Sequence, residues 1–271
     1  MYVLILLTLA VLLAASYSDI KTREVPNWLS YGLIFSAFAI RAIFSFELGW
    51  EFLASGVLGF MACLVFAYLF YYTHQWGGGD SKLLMGMGAV IGITYSFNNS
   101  SFDLLWFFLA LLFLGALYGL IWMAVIAIKK KKAFKETFSL YLKNFKTLQY
   151  VLIGVTAFFI ILTIFYIHFW VFIIFPLLMF YLFLFVSSVE KSCFVVRVNP
   201  LKLVEGDWLA EPLEIEGKKF KKTLTLKNVE ALHHLYRKKK IHSVLVKEGI
   251  PFVPSFLFAY VFILVYTKVL F

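Results

Sequence analysis

Apolar runs about as long as a membrane is thick recur along this chain, and they constrain its fold more than any other feature. A bilayer's hydrocarbon core is spanned by roughly 20 apolar residues in a helix. Backbone in lipid must satisfy its own hydrogen bonds, and unbroken rather than alternating apolar runs do so as helices. On that ruler helices are expected near 1–18, 27–46, 52–73, 81–97, 102–128, 148–166, 168–189 and 250–271. The 42 residues from Leu148 to Val189 are too long for one span, since a helix of that length reaches roughly 63 Å at about 1.5 Å per residue. A hairpin turning near Tyr166-Ile167-His168 is expected instead, although no Gly or Pro marks it. With 62% of its 271 residues hydrophobic and 20% aromatic, the chain has room for one modest soluble domain. The expected fold is an all-α polytopic membrane protein of about eight transmembrane helices, with a small cytoplasmic α+β domain inserted before the last helix.

Charge sets the orientation. Eight spans with the N-terminus outside leave 19–26, 74–80, 129–147 and 190–249 in the cytoplasm. With their immediate flanks these segments hold 2, 1, 7 and 13 Lys or Arg, which is 23 of the 25. Only Arg41 and Lys268 fall elsewhere, and the run Lys129–Lys132 alone would set the bias. The formal net charge of +10 therefore reads as positive-inside topology, with anionic lipid headgroups as the electrostatic partner. No nucleic-acid-binding motif accompanies it. The first apolar run lacks a basic n-region and reads as a retained helix rather than a signal peptide.

The organisation expected is 1–189 for helices 1–7, 190–249 for the soluble domain and 250–271 for the last span. In the soluble domain Cys193–Val198 reads as a strand, Val204–Leu209 as a turn between short strands, Asn228–Tyr236 as a capped helix and Ile241–Val246 as a strand. In the cationic stretch Lys129–Lys146, Phe134, Phe138, Tyr141 and Phe145 recur at helical spacing and suggest an interfacial helix. Two cysteines, Cys63 and Cys193, make neither a disulfide framework nor a Cys-based zinc site. His233 and His234 are adjacent, so they point to different faces of a helix, and with His242 they read as solvated rather than metal-binding. No metal and no cofactor are expected.

Asp80 stands out within Trp76-Gly77-Gly78-Gly79-Asp80-Ser81-Lys82, where an apolar run begins. A carboxylate there is costly and points to function with a partner. The partner expected is Asp19, which closes the first apolar run in Ser18-Asp19-Ile20-Lys21-Thr22-Arg23-Glu24-Val25-Pro26-Asn27. Helices 2 and 3 form one out-and-back pair, so the two acids return to one face although 61 residues apart. Two such carboxyls sharing a proton form an aspartyl dyad: one deprotonates a water while the other polarises a carbonyl. The glycines permit close backbone approach. Lys82 is positioned to orient Asp80 or a substrate carbonyl, or else to snorkel. His74 reads as an interfacial residue near the site.

Asp19 followed by Arg23, Pro26 and Asn27 resembles the first-aspartate motif of the type IV prepilin peptidase family. Gly77-x-Gly79-Asp80-x-Lys82-Leu83 with Gly86, Gly88 and Gly92 resembles its second motif, and the entry to the last helix, Gly249-Ile250-Pro251-Phe252-Val253-Pro254-Ser255-Phe256, resembles a third. Val253 and Ser255 depart from the commonest form of that last signature. The resemblance implies an aspartic endopeptidase that removes leaders from pilin-like or archaellin-like precursors at the cytoplasmic membrane face. Only Ile20–Val25 separate Asp19 from Pro26, leaving no room for a four-cysteine insert. The chain thus looks like the archaeal prepilin and preflagellin branch, for which methyl transfer is not expected. Presenilin-like proteases also use Gly-x-Gly-Asp, but pair it with Tyr-Asp and Pro-Ala-Leu, which are absent here. The non-enzyme alternative is an ion-coupled transporter or channel whose intramembrane acids bind cations.

Overall fold

The computed structural model of the chain describes residues 2–73, 75–94, 102–215, 218–220 and 222–270. Six helices among them are long and apolar enough to cross a membrane: Tyr2–Thr22 (α1), Asn27–Leu48 (α2), Trp50–Tyr72 (α3), Asp103–Lys129 (α5), Lys146–Phe165 (α7) and Val171–Ser192 (α8), the last from Phe172. This is a multi-pass membrane protein. Two shorter elements stand beside them, Gly78–Ile91 (α4) and Val253–Leu270 (α10). The chain divides into two units, Met1–Gly119 with Ile250–Phe271, and Leu120–Gly249.

In the first unit the buried faces follow helical spacing. Leu4, Thr8, Leu12, Ala15 and Asp19 line one side of α1, and Leu29, Leu33, Ala37, Arg41 and Ser45 one side of α2. The buried side of α3 is made of small residues: Ser55, Gly56, Gly59, Cys63 and Ala67. Small residues let helix backbones approach, which is how helices associate in lipid without a hydrophobic drive. Here the approach is close: a Cβ on Gly59 would fall on the Gly88 carbonyl oxygen, and one on Gly88 would fall on the Gly59 carbonyl oxygen. Helix α4 thus lies backbone to backbone against α3. It starts earlier than the expected 81, at Gly78, and stops earlier, at Ile91. The stop is set by Gly92, at φ 78°, and by the Ile93 N–H, which donates to the Ser55 carbonyl at 2.9 Å instead of continuing the helix. Residues 95–97 of the expected helix and His74 lie outside the described residues. Leu83, Leu84, Met87, Phe107, Leu111 and Phe256 form the centre of this core.

In the second unit Lys131–Asn144 (α6), α7 and α8 are helical neighbours. The turn between α7 and α8 comes where length required it. Tyr166 is extended (φ −138°, ψ 99°) and a short 3-10 turn at Ile167–Trp170 leads into α8. The aromatic stripe of α6 is half-buried and packs on α8: Phe134 meets Phe185 at 5.7 Å between ring centroids and Phe145 meets Phe183 at 6.1 Å.

The rest of this unit is a small α+β fold. Strands Val195–Val198 (β1), Trp208–Leu209 (β2) and Val244–Lys247 (β5) form an antiparallel sheet in the order β1-β5-β2, with Val196 opposite Val246. Leu213–Ile215 (β3) and Lys218–Phe220 (β4) form a separate hairpin. Leu226–Arg237 (α9) turns Val229, Leu232 and Leu235 into a core with Leu203, Leu209, Phe220, Leu224, Val244 and Val246. Its N-cap is Thr225 rather than Asn228: Thr225 is extended and its carbonyl accepts the Val229 N–H at 3.0 Å, so Asn228 falls inside the first turn.

Candidate active site

Asp19 sits one turn before the end of α1, and Asp80 is the third residue of α4. Both line one cleft of about 240 Å³, with Arg23, Glu24, Val25, Gly77, Gly78 and Gly79. They are near enough that charge on Asp19 acts on Asp80. Pro26 explains part of this arrangement. It precedes α2 with φ −57° and ψ 132°, values that cannot continue α1, so the chain reverses just past Asp19.

Each carboxyl is held by backbone. Asp19 is buried, and its Oδ2 accepts the Val253 N–H at 2.9 Å. That N–H opens α10, one of the helix-start donors that have no partner inside their own helix. The Ile250-Pro251-Phe252-Val253-Pro254 segment therefore brings the positive end of a helix to Asp19 across 234 residues of sequence. Asp80 turns back to accept the Gly77 N–H at 3.3 Å at the start of its own helix.

The three glycines differ in role. A Cβ on Gly79 would stand 3.0 Å from Val25 Cβ, so Gly79 is what lets the segment after Asp19 close on α4. On Gly77 it would meet Asp80 Oδ2 at 3.4 Å, and on Gly78 the Tyr71 ring at 3.7 Å, both ordinary contacts. Arg23, next to the Gly79 contact, has φ 61°. That left-handed backbone is uncommon for a side chain of this size and costs on the order of 1–3 kcal/mol. Its N–H still donates to the Asp19 carbonyl at 2.9 Å, so the strained residue ends α1 and turns the chain at the cleft.

Lys82 and Asn27 meet each other: Nζ donates to Asn27 Oδ1 at 2.7 Å and lies 5.1 Å from the Tyr31 ring centroid. This contact ties the N-terminal ends of α2 and α4 beside the cleft. Trp76 performs a similar service on the other side. It stacks on Phe70 of α3 (4.7 Å, 20°) and packs against Phe252 and Phe256 at 5.3 and 5.8 Å, linking the glycine loop to α10. Sequence reasoning named the 250–254 segment but not the Val253 N–H. The only signal was its two prolines, which mark a helix start with free donors. No three His, Cys, Asp or Glu side chains converge as metal ligands among the described residues.

A multi-pass membrane protein with two aspartates in one cleft, each held at a helix start, defines the class. Residues 6–120, which include both aspartates, match the type IV leader peptidase family, and the resemblance expected from the motifs is borne out over that stretch. Similar proteins are a preflagellin peptidase of Methanococcus voltae, 38% identical over 81 residues (30% of this chain, 34% of that protein), and one of Methanocaldococcus jannaschii, 34% identical over 85 residues (30% and 34%). A third, from Methanococcus maripaludis, is 30% identical over 85 residues (30% and 35%). The matches thus span about a third of each relative's length. No solved structure matches this chain.

Proposed function

We propose that this protein is a membrane aspartic endopeptidase that cleaves basic leader peptides from archaellin-like or pilin-like precursors. The observation that carries the reading is the shared cleft: Asp19 and Asp80 line it together, at the ends of helices from opposite sides of an out-and-back pair. One carboxylate takes a proton from water, whose oxygen attacks the scissile carbonyl carbon. The other, protonated, donates to the carbonyl oxygen, and the C–N bond breaks as the leaving nitrogen is protonated. The helix-start N–H groups on both acids orient them, and the Gly79–Val25 contact sets the width of the cleft floor. Asn27, Lys82 and Arg23 act as supporting residues. Methyl transfer and metal play no part in this scheme. Purified chain incubated with a leader-bearing precursor should yield one new N-terminus, at the junction of leader and apolar helix. Precursor left intact in lipid or detergent at any pH contradicts the reading.

The membrane arrangement proposed with it counts α4 and α10 as short spans, making eight. The N-terminus is outside, with the cleft and residues 190–249 cytoplasmic and the lysines at 129–132 facing anionic headgroups. Cysteine-accessibility labelling should reach positions near 20–25, 130–145 and 200–240 only from the cytoplasmic side, and positions near 47–51 only from outside. Labelling of 47–51 from inside would remove the shared-face argument.

A further inference from the structure

Arg41 lies deep in α2 and is 3% exposed. A guanidinium buried in a membrane-spanning helix is costly and is kept for a reason. Among the described residues no carboxylate pairs with it. Its terminal nitrogens donate instead to four neutral oxygens: Nη1 to the Phe52 carbonyl at 2.5 Å and Ser55 Oγ at 2.8 Å, Nη2 to the carbonyls of Val90 at 2.8 Å and Ile91 at 3.0 Å. Its guanidinium carbon also lies 4.5 Å from the Phe52 ring centroid. Val90 and Ile91 are the last residues of α4, where carbonyls lack helical partners and a cation is favoured by the helix dipole.

The backbone around the guanidinium leaves room for nothing larger. A Cβ on Gly56 would meet Arg41 Cδ at 2.5 Å, and one on Gly92 would meet Nη2 at 2.8 Å. Arg41 thus fastens the far end of α4 to α2 and to the start of α3. Eleven residues separate Ile91 from Asp80, about 16 Å of helix at roughly 1.5 Å per residue. Along that length α4 is pressed against α3 at the Gly59–Gly88 contact.

We propose that Arg41 is a positioning residue: by holding the C-terminal carbonyls of α4 it sets that helix's axial position, and with it the place of the Asp80 carboxyl relative to Asp19. The consequence for catalysis rests on the peptidase reading; the mechanical part does not. The test pairs two readouts in the full chain with Arg41→Met and Arg41→Lys. Spin labels on Lys21→Cys in α1 and Met85→Cys in α4, with Cys63 and Cys193 replaced by Ala, report the distance between the two acid-bearing helices. Met85 is half-buried and lies outside the residues that line the cleft. In Arg41→Met the distance distribution should shift or broaden, and kcat on a leader-bearing precursor should fall about 10- to 100-fold with KM within about twofold, since misplacement near 1 Å costs on that order. Arg41→Lys, whose ammonium still reaches a carbonyl, should recover part of both. An unchanged distance distribution with an unchanged kcat, even with a lowered Tm, would overturn the proposal. If the parent chain cleaves nothing, the peptidase reading fails, and the label distances alone decide the clamp.

Discussion

Asp19→Asn and Asp80→Asn should each reduce leader cleavage by about 10²- to 10⁴-fold, the range of a lost general acid or base, while the protein still inserts and melts as before. Asparagine matches aspartate in size and keeps an oxygen able to accept the Val253 or Gly77 N–H. What it lacks is the ionisable proton. A purely structural acid at either position would tolerate the change, so the pair separates the two roles. Because the acids act as a unit, the double variant should be little worse than either single one. Asp103, in the first turn of α5, is the control. Its charge favours a helix start by only about 0.3–1 kcal/mol, so Asp103→Asn should cleave near the parent rate. Cleavage at an undiminished rate in either Asp19→Asn or Asp80→Asn removes the dyad and returns the acids to the cation-transport alternative.

The pairing of Asp19 with Asp80 was legible because both lie at ends of apolar runs and two intervening runs bring the chain back. Run length alone also located the α7–α8 turn, which no Gly or Pro marks. Other features were hidden for a common reason: they depend on backbone groups supplied by distant segments. The Val253 N–H on Asp19 is one, since a peptide N–H has no signature in the side-chain sequence. The early end of α4 is another. Gly92 is one of several glycines in that stretch, and what marks it as the terminus is its φ of 78° and the Ile93 N–H turned to the distant Ser55 carbonyl. The stripe on α6 suggested an interfacial helix without saying that Phe183 and Phe185 would pack against it. At α9 the cap expected at Asn228 falls three residues earlier, at Thr225, where the backbone is extended.

A diacid that works by sharing one proton carries a particular pH signature. At low pH both carboxyls are protonated, no base remains to activate water, and the rate falls about tenfold for each pH unit. At high pH both are ionised and no acid remains to donate to the carbonyl oxygen, so the rate falls again. In a diacid that shares one proton the two limbs belong to the pair rather than to either carboxyl singly. The proposed chemistry uses no metal, so a chelator should leave the whole curve in place. The decisive measurement is therefore kcat/KM of the purified chain on a leader-bearing precursor across pH, with and without chelator. The account predicts one bell-shaped curve, indifferent to chelation. A curve with a single ionisation limb, or activity lost to chelator and restored by zinc, would contradict it.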